Sequence, residues 1–106
     1  MWTVEFASKV AEAEVEALPS DLRSKFLRIA DMIEGYGLEK MHEPYVKHLE
    51  GKIWEMRLKG RDGIARSLYI TAVGRRVVVV RTFIKKTQET PRREIEIALA
   101  RAKEVR

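Results

Sequence analysis

A chain of 106 residues with 45% apolar and 35% charged residues has the composition of one ordinary globular domain, spanning residues 1–106, rather than of a disordered or fibrous protein. It has no cysteine, which excludes disulfides, thiolate metal sites and cysteine nucleophiles, and no apolar run approaching the roughly 18 residues of a spanning helix. The formal charge of +5 is unevenly spread, with 6 Lys/Arg against 10 Asp/Glu in residues 1–50 and 15 against 6 in residues 51–106, so that the halves carry −4 and +9.

The elements follow in chain order. "WTVEF" alternates Trp2, Val4 and Phe6, the period of a half-buried strand. Ser8 caps a helix through "KVAEAEVEAL" with Ala11, Val15 and Leu18 on one face, and Pro19 stops it. A second helix is expected from Ser20 as N-cap, with Asp21 in its first turn and Leu22, Phe26, Ile29, Ala30 and Ile33 as its stripe; Gly35 and Gly37 end it. Between Leu38 and Glu50 the pattern is weak, and a short helical turn around Tyr45 and Leu49 is the reading, with Pro44 limiting its length. Three strands follow, "KIWEMRL", "IARSLYI" and "VVVVRTF", joined by the turn-formers "KGRDG" and "AVGR". Trp54, Met56 and Leu58 share one face of the first, and Glu55, Arg57 and Lys59 the other. The last helix takes Thr90 as N-cap and Pro91 at its first position, with Ile95, Ala98, Leu99 and Ala102 as its stripe. The order β-α-α-β-β-β-α gives an α+β domain: a small antiparallel sheet, an N-terminal helical hairpin on one face, and a C-terminal helix.

The start "MWTVEFASKVAEAE" carries glutamates and lacks a basic region before an apolar block, unlike a signal peptide, so the cytoplasm is the expected compartment and no membrane the expected partner. The basic half points to a polyanion, because a one-signed surface concentrates counter-charged ligand. No Gly-rich phosphate loop, HExxH or CxxC occurs; His42 and His48 have no third ligand spaced to join them, and Glu55, Asp62 and Glu89 are scattered, so neither a metal nor a cofactor is expected. What remains is arginine and lysine on strand ends. Period two places Arg66 with Ile64 and Leu68, with Arg57 on the neighbouring strand, and places Arg81 with Val79 and Phe83. A guanidinium rarely faces a dry core unpartnered, so each is expected on the uncovered sheet face or in a groove at its edge. Lys85 and Lys86 sit just beyond the third strand, within reach of that edge; a solvated turn is the plainer reading of the pair. Such cations can stabilise charge growing on a scissile phosphate. Metal-free RNA cleavage also needs a base for the ribose 2′-OH, a role lysine fills only when like charges depress its pKa. Tyr69 and Glu55 are candidate assistants, although Tyr69 alternates away from Arg66 and packs in the core.

"IWEMR" (53–57), "ARSLYI" (65–70), "VVVVRTFIKKTQETP" (77–91) and "REIEIALAR" (93–101) resemble the HigB-like branch of the RelE/ParE toxin superfamily, over nearly all of residues 49–101. The resemblance implies the toxin of a type II toxin–antitoxin module, a ribosome-dependent endoribonuclease that cuts mRNA in the A site without metal. Its catalytic positions match Arg66, Lys85 and Lys86, with Arg81 standing where many relatives carry histidine; Arg57, Lys59, Arg61 and Arg76 are the expected RNA contacts. The implied partners are the ribosome and mRNA, an antitoxin of helix-turn-helix type, and DNA only through the antitoxin complex. Two other readings are compatible with the fold. A ParE-like inhibitor of DNA gyrase would not need a phosphate cage at Arg66 and Lys86, and a catalytically inactive nucleic-acid binder acting in autoregulation would not arrest growth.

Overall fold

The computed structural model describes residues 1–61 and 63–106. Asp62, counted above among the scattered carboxylates, lies outside the described residues. A five-stranded sheet in the order β1-β5-β4-β3-β2 is built from β1 (Thr3–Phe6), β2 (Val46–Glu50), β3 (Ile53–Lys59), β4 (Ile64–Ala72) and β5 (Arg76–Lys85). The helices are α1 (Lys9–Glu16), α2 (Ser20–Tyr36) and α3 (Arg92–Ala102). The α+β reading holds, with two corrections to the sheet. It is mixed, because β1 runs parallel to β5 (Val4 beside Val77), and it has a strand, β2, where a helical turn around Tyr45 and Leu49 was expected. The helical turn is instead a short 3-10 segment at Leu38–Lys40.

The sheet is covered on both sides. Val15 of α1, Leu18 just after it, and Leu22, Phe26, Ile29 and Ile33 of α2 pack on Met56, Leu58, Ala65, Tyr69, Val77 and Val79. On the opposite face Ala98 and Ala102 of α3 pack on Ile53, Leu68, Ile70, Val78 and Val80, with Phe83 in the same cluster. Strand alternation explains the split, since consecutive β5 valines feed opposite cores. Tyr69 belongs to the hairpin core, as its alternation implied, and burial pushes its hydroxyl pKa up.

Three helix ends differ from expectation. Ser8 caps α1 as read, accepting from the Ala11 N–H at 3.2 Å. In α2 the cap position is Pro19, and Ser20 supplies no capping bond; Asp21 instead accepts the N–H of Arg61 at 2.8 Å and ties the β3–β4 connection to the helix start. Gly60 sits so close that a Cβ there would meet Asp21 Oδ2 at 2.2 Å. Gly35 lies inside α2, and Gly37, at φ 97°, is the residue that ends it. In α3 the cap position is Pro91, because the Thr90 hydroxyl is committed to Glu55 Oε1 at 3.1 Å.

The pairing of β4 with β5 slips by one residue at Leu68/Tyr69. Tyr69 faces Val79 but Leu68 faces Arg81, so β5 carries one extra residue there. The bulge inverts the phase of β5. Val79 ends in the hairpin core and Phe83 in the α3 core, so Arg81 does not share one face with both, as simple alternation required.

Candidate functional site

The register of β3, β4 and β5 assembles a row of charged side chains on the α3 face, beside the part that the helix covers. Arg57 lies opposite Arg66, and Arg66 opposite Phe83; one step along, Lys59 lies opposite Ile64, and Ile64 opposite Lys85. Opposed residues in antiparallel strands point to the same side, so Arg57, Lys59, Arg66 and Lys85 share one face. Lys85 is the last residue of β5 rather than a residue beyond it. Lys86 follows the strand, is exposed, and makes no hydrogen bond or ion pair among the described residues.

Arg66 does not look onto open solvent, contrary to expectation: it is only 4% exposed. Its Nη1 donates to the Ala65 carbonyl at 3.1 Å, and its Nε lies 3.5 Å from Glu55 Oε1. Glu55 is the one buried carboxylate among the described residues. Its other oxygen is 3.9 Å from Arg57 Nε, while Arg57 Nη1 lies 3.6 Å from Glu43. The arrangement leaves both Nε groups, of Arg57 and of Arg66, buried without a hydrogen-bond acceptor. A buried donor left unmade costs about 1–3 kcal/mol, which makes two together at a charged cluster notable. Burial pulls the Arg66 pKa down, Glu55 supports it and Arg57 opposes it; an arginine so placed still carries its charge. Burial is also the largest cause of a lowered Lys85 pKa, followed by the charges of Arg66 and Arg57, with Glu55 and Glu89 opposing. Lys85 Nζ donates to the Gln88 carbonyl. Three cations converging around one carboxylate, with donors to spare, can accept a further anion.

The family model of the phage-derived protein Gp49-like (DUF891) matches residues 13–103, from within α1 to the end of α3. The chain belongs to that family. It is a family of the RelE/HigB-like toxin type, in which an antitoxin is the partner to look for. Among curated proteins, none matches this chain.

In this Gp49-like chain the other sequence candidates stand apart from the cluster. Arg61 is exposed in the β3–β4 connection, its backbone N–H held by Asp21 at the start of α2. Arg76 starts β5 at the end opposite Lys85, about 30 Å away at a rise of ~3.3 Å per residue; it pairs with Glu5 at 2.9 Å and donates to the Arg106 carbonyl at 2.5 Å. Arg81 is engaged elsewhere. Its Nε donates to Glu94 at 2.6 Å and its Nη1 to Glu14 at 2.7 Å, and the bond to Glu94, then the charge of Glu14, raise its pKa against burial. Glu14 also accepts from the Thr82 N–H at 3.1 Å and from Arg101 at 2.9 Å, and Arg101 in turn donates to the Val80 carbonyl. The sequence reading missed this network. Its one signal was a glutamate flanked by the apolar positions Ala11 and Val15 of α1.

Because Glu14 completes the bonding of two half-buried guanidiniums and of a strand-edge N–H, Glu14→Ala is expected to destabilise the fold by about 2–4 kcal/mol. Urea denaturation reads this directly, and an unchanged midpoint would show that water replaces the carboxylate. The two histidines are surface residues: His48 packs edge-on against Trp54 (5.0 Å between ring centres), with its Nε2 2.7 Å from the Gly51 carbonyl. A cleft of about 970 Å³ is lined by Trp2, Leu38, Met41, Val46, Trp54 and Tyr69, mostly on the hairpin face. None of Arg57, Arg66 or Lys85 lines it, but Glu43, the ion-pair partner of Arg57, does, so the cleft adjoins the rim of the charged cluster.

Among the described residues, no helix is long and apolar enough to cross a membrane.

Proposed function

We propose that this Gp49-like protein is the toxin of a type II toxin–antitoxin module, on the HigB-like branch of the RelE/ParE superfamily, and that it is a metal-independent endoribonuclease cutting mRNA in the A site of the cytoplasmic ribosome. The observation that carries the reading is the pair of orphaned Nε donors of Arg57 and Arg66 beside Glu55, with Lys85 on the same face. Two guanidiniums and an amine on one face, around a single buried carboxylate, suit a phosphate whose non-bridging oxygens gain charge during reaction.

In the step proposed, the ribose 2′-oxygen attacks phosphorus, its proton passes to neutral Lys85, and the bond to the 5′-oxygen breaks. That oxygen takes a proton from solvent, leaving a 2′,3′-cyclic phosphate and a 5′-hydroxyl. Arg57 and Arg66 hold the phosphate, and Glu55 positions both guanidiniums. Arg81 belongs to the Glu14–Glu94–Arg101 network and supports β5 from its edge, and Lys86, Lys59 and Arg61 contribute attraction for RNA. A bound strand still has to be bent into line for attack on its phosphate, a task that falls to the ribosome. The antitoxin, of helix-turn-helix type, supplies the DNA binding of the module.

The test is purified protein added to a translation complex programmed with defined mRNA, with naked mRNA as control and 5′ ends mapped by primer extension. Cuts confined to the A site, absent from naked RNA and insensitive to chelator, are expected. Cleavage of naked RNA that EDTA abolishes would overturn the mechanism, and growth arrest with gyrase poisoning but intact mRNA would replace it by gyrase inhibition.

A further inference from the structure

One exposed aromatic stands on the basic face. Tyr45 immediately precedes β2 and lies across from Arg57, whose N–H donates to the Tyr45 carbonyl at 2.8 Å. The next residue, Val46, is paired with Met56 and buried in the hairpin core, so alternation turns Tyr45 to the side of Arg57 and Arg66. It is 44% exposed, and its hydroxyl makes no hydrogen bond among the described residues. The other exposed aromatics are elsewhere, Tyr36 at the end of α2 and Trp54 on the hairpin face, while Phe83 on the basic face is buried. Glu43, two residues earlier, pairs with Arg57 at 3.6 Å, which places Tyr45 at the rim of the charged cluster. With strands ~4.8 Å apart, Tyr45 stands about 5 Å from the Arg57 backbone and about 10 Å from that of Arg66.

We infer that Tyr45 is a stacking platform for an unpaired base of the RNA strand whose phosphate rests on Arg57 and Arg66. The inference rests on the reading of the cluster as a phosphate site and adds what holds the neighbouring nucleotide. Cations that track a backbone combined with an aromatic that takes a base face form a general solution for single-stranded RNA. Stacking accepts any base, so Tyr45 contributes affinity and register, while base identity is read elsewhere.

The experiment uses the full chain and a single-stranded RNA of about six nucleotides, the span of one small binding site, 2′-O-methylated to block cleavage. Binding is followed by fluorescence anisotropy at several salt concentrations. Tyr45→Leu is expected to weaken binding by about 5- to 100-fold, and Tyr45→Phe to stay close to the parent, because only the ring face is used. The slope of log affinity against log salt is expected to be unchanged in both, whereas Arg57→Ala lowers it by about one phosphate contact. One abasic position in the RNA should cost the parent what Tyr45→Leu costs, and cost Tyr45→Leu nothing more. The inference is overturned if the parent does not bind the RNA, if Tyr45→Leu binds like the parent, or if its loss is independent of the abasic position. Ribosomal cleavage that persists alongside such a result would spare the nuclease reading; binding that depends on Tyr45, without any ribosomal cleavage, would sink that reading alone.

Discussion

Replacing Arg66 by alanine is expected to lower single-turnover cleavage on programmed ribosomes by about 10²–10³-fold, the usual cost of one donor to a charge that develops in the transition state. Ribosome affinity should change far less, because the contact strengthens only as the phosphate becomes pentacovalent. The geometry makes the arginine specific. Its Nη1 is held by the Ala65 carbonyl and its Nε lies 3.5 Å from Glu55, so the guanidinium plane is fixed. Lysine has neither the plane nor the fork, and Arg66→Lys should stay impaired while keeping a positive charge beside Glu55. That variant matters because Arg66→Ala also leaves a buried carboxylate with less compensation and will lower stability. Circular dichroism and thermal melting separate the two effects. If folded Arg66→Lys cut at the parental rate, Arg66 would be a counter-ion for Glu55 and not part of the chemistry.

Arg66 and its neighbours were legible in the sequence as residue types on strands, but their surroundings were not. Period two gave the shared face of Glu55, Arg57 and Lys59, and the two apolar faces of β3 and β4 followed from the same rule. Four features depended on contacts far apart in the chain. The edge strand β2 reads "VKHLE", with a single fully buried residue, so it is held in place by pairing with β3 rather than by any pattern of its own. The bulge at Leu68/Tyr69 shifts β5 by one residue and changes what Arg81 can meet, and nothing in "VVVVRTF" marks the position of the slip. Thr90 looked like a helix cap because its local sequence is that of one, yet a buried carboxylate 35 residues away takes its hydroxyl. Parallel pairing of β1 with β5 is likewise a fact of topology, since one strand has the same alternation in either direction. Burial of Arg66 was the largest departure, and it matters for the proposed chemistry, because charge interactions of a covered guanidinium are less screened by water.

The structure also separates two lysines that are adjacent in sequence, and their variants are expected to differ sharply. Lys85→Ala should lower cleavage by about 10²–10⁴-fold, the usual contribution of a positioned base, whereas Lys86→Ala should weaken binding in a salt-sensitive way and leave the rate at saturation close to the parent's. The asymmetry follows from placement: Lys85 ends β5 on the face of Arg57 and Arg66, and Lys86 is exposed past the strand. The pH dependence adds a test that a structural role would not pass. A base acts in its neutral form, so cleavage should rise with pH through the Lys85 pKa, which burial, then Arg66 and Arg57, set below the ordinary lysine value. Arg57→Gln removes one of the repelling charges, so the lysine should hold its proton to higher pH and the rising limb should move up. Glu55→Gln removes a charge that favours the protonated lysine, and the limb should move down. Opposite displacements from two substitutions that flank Lys85 identify the titrating group as one that feels both. A limb that ignores both changes, or a Lys85→Ala protein that cuts as the parent does, would assign the base to the ribosome and leave Lys85 a phosphate contact.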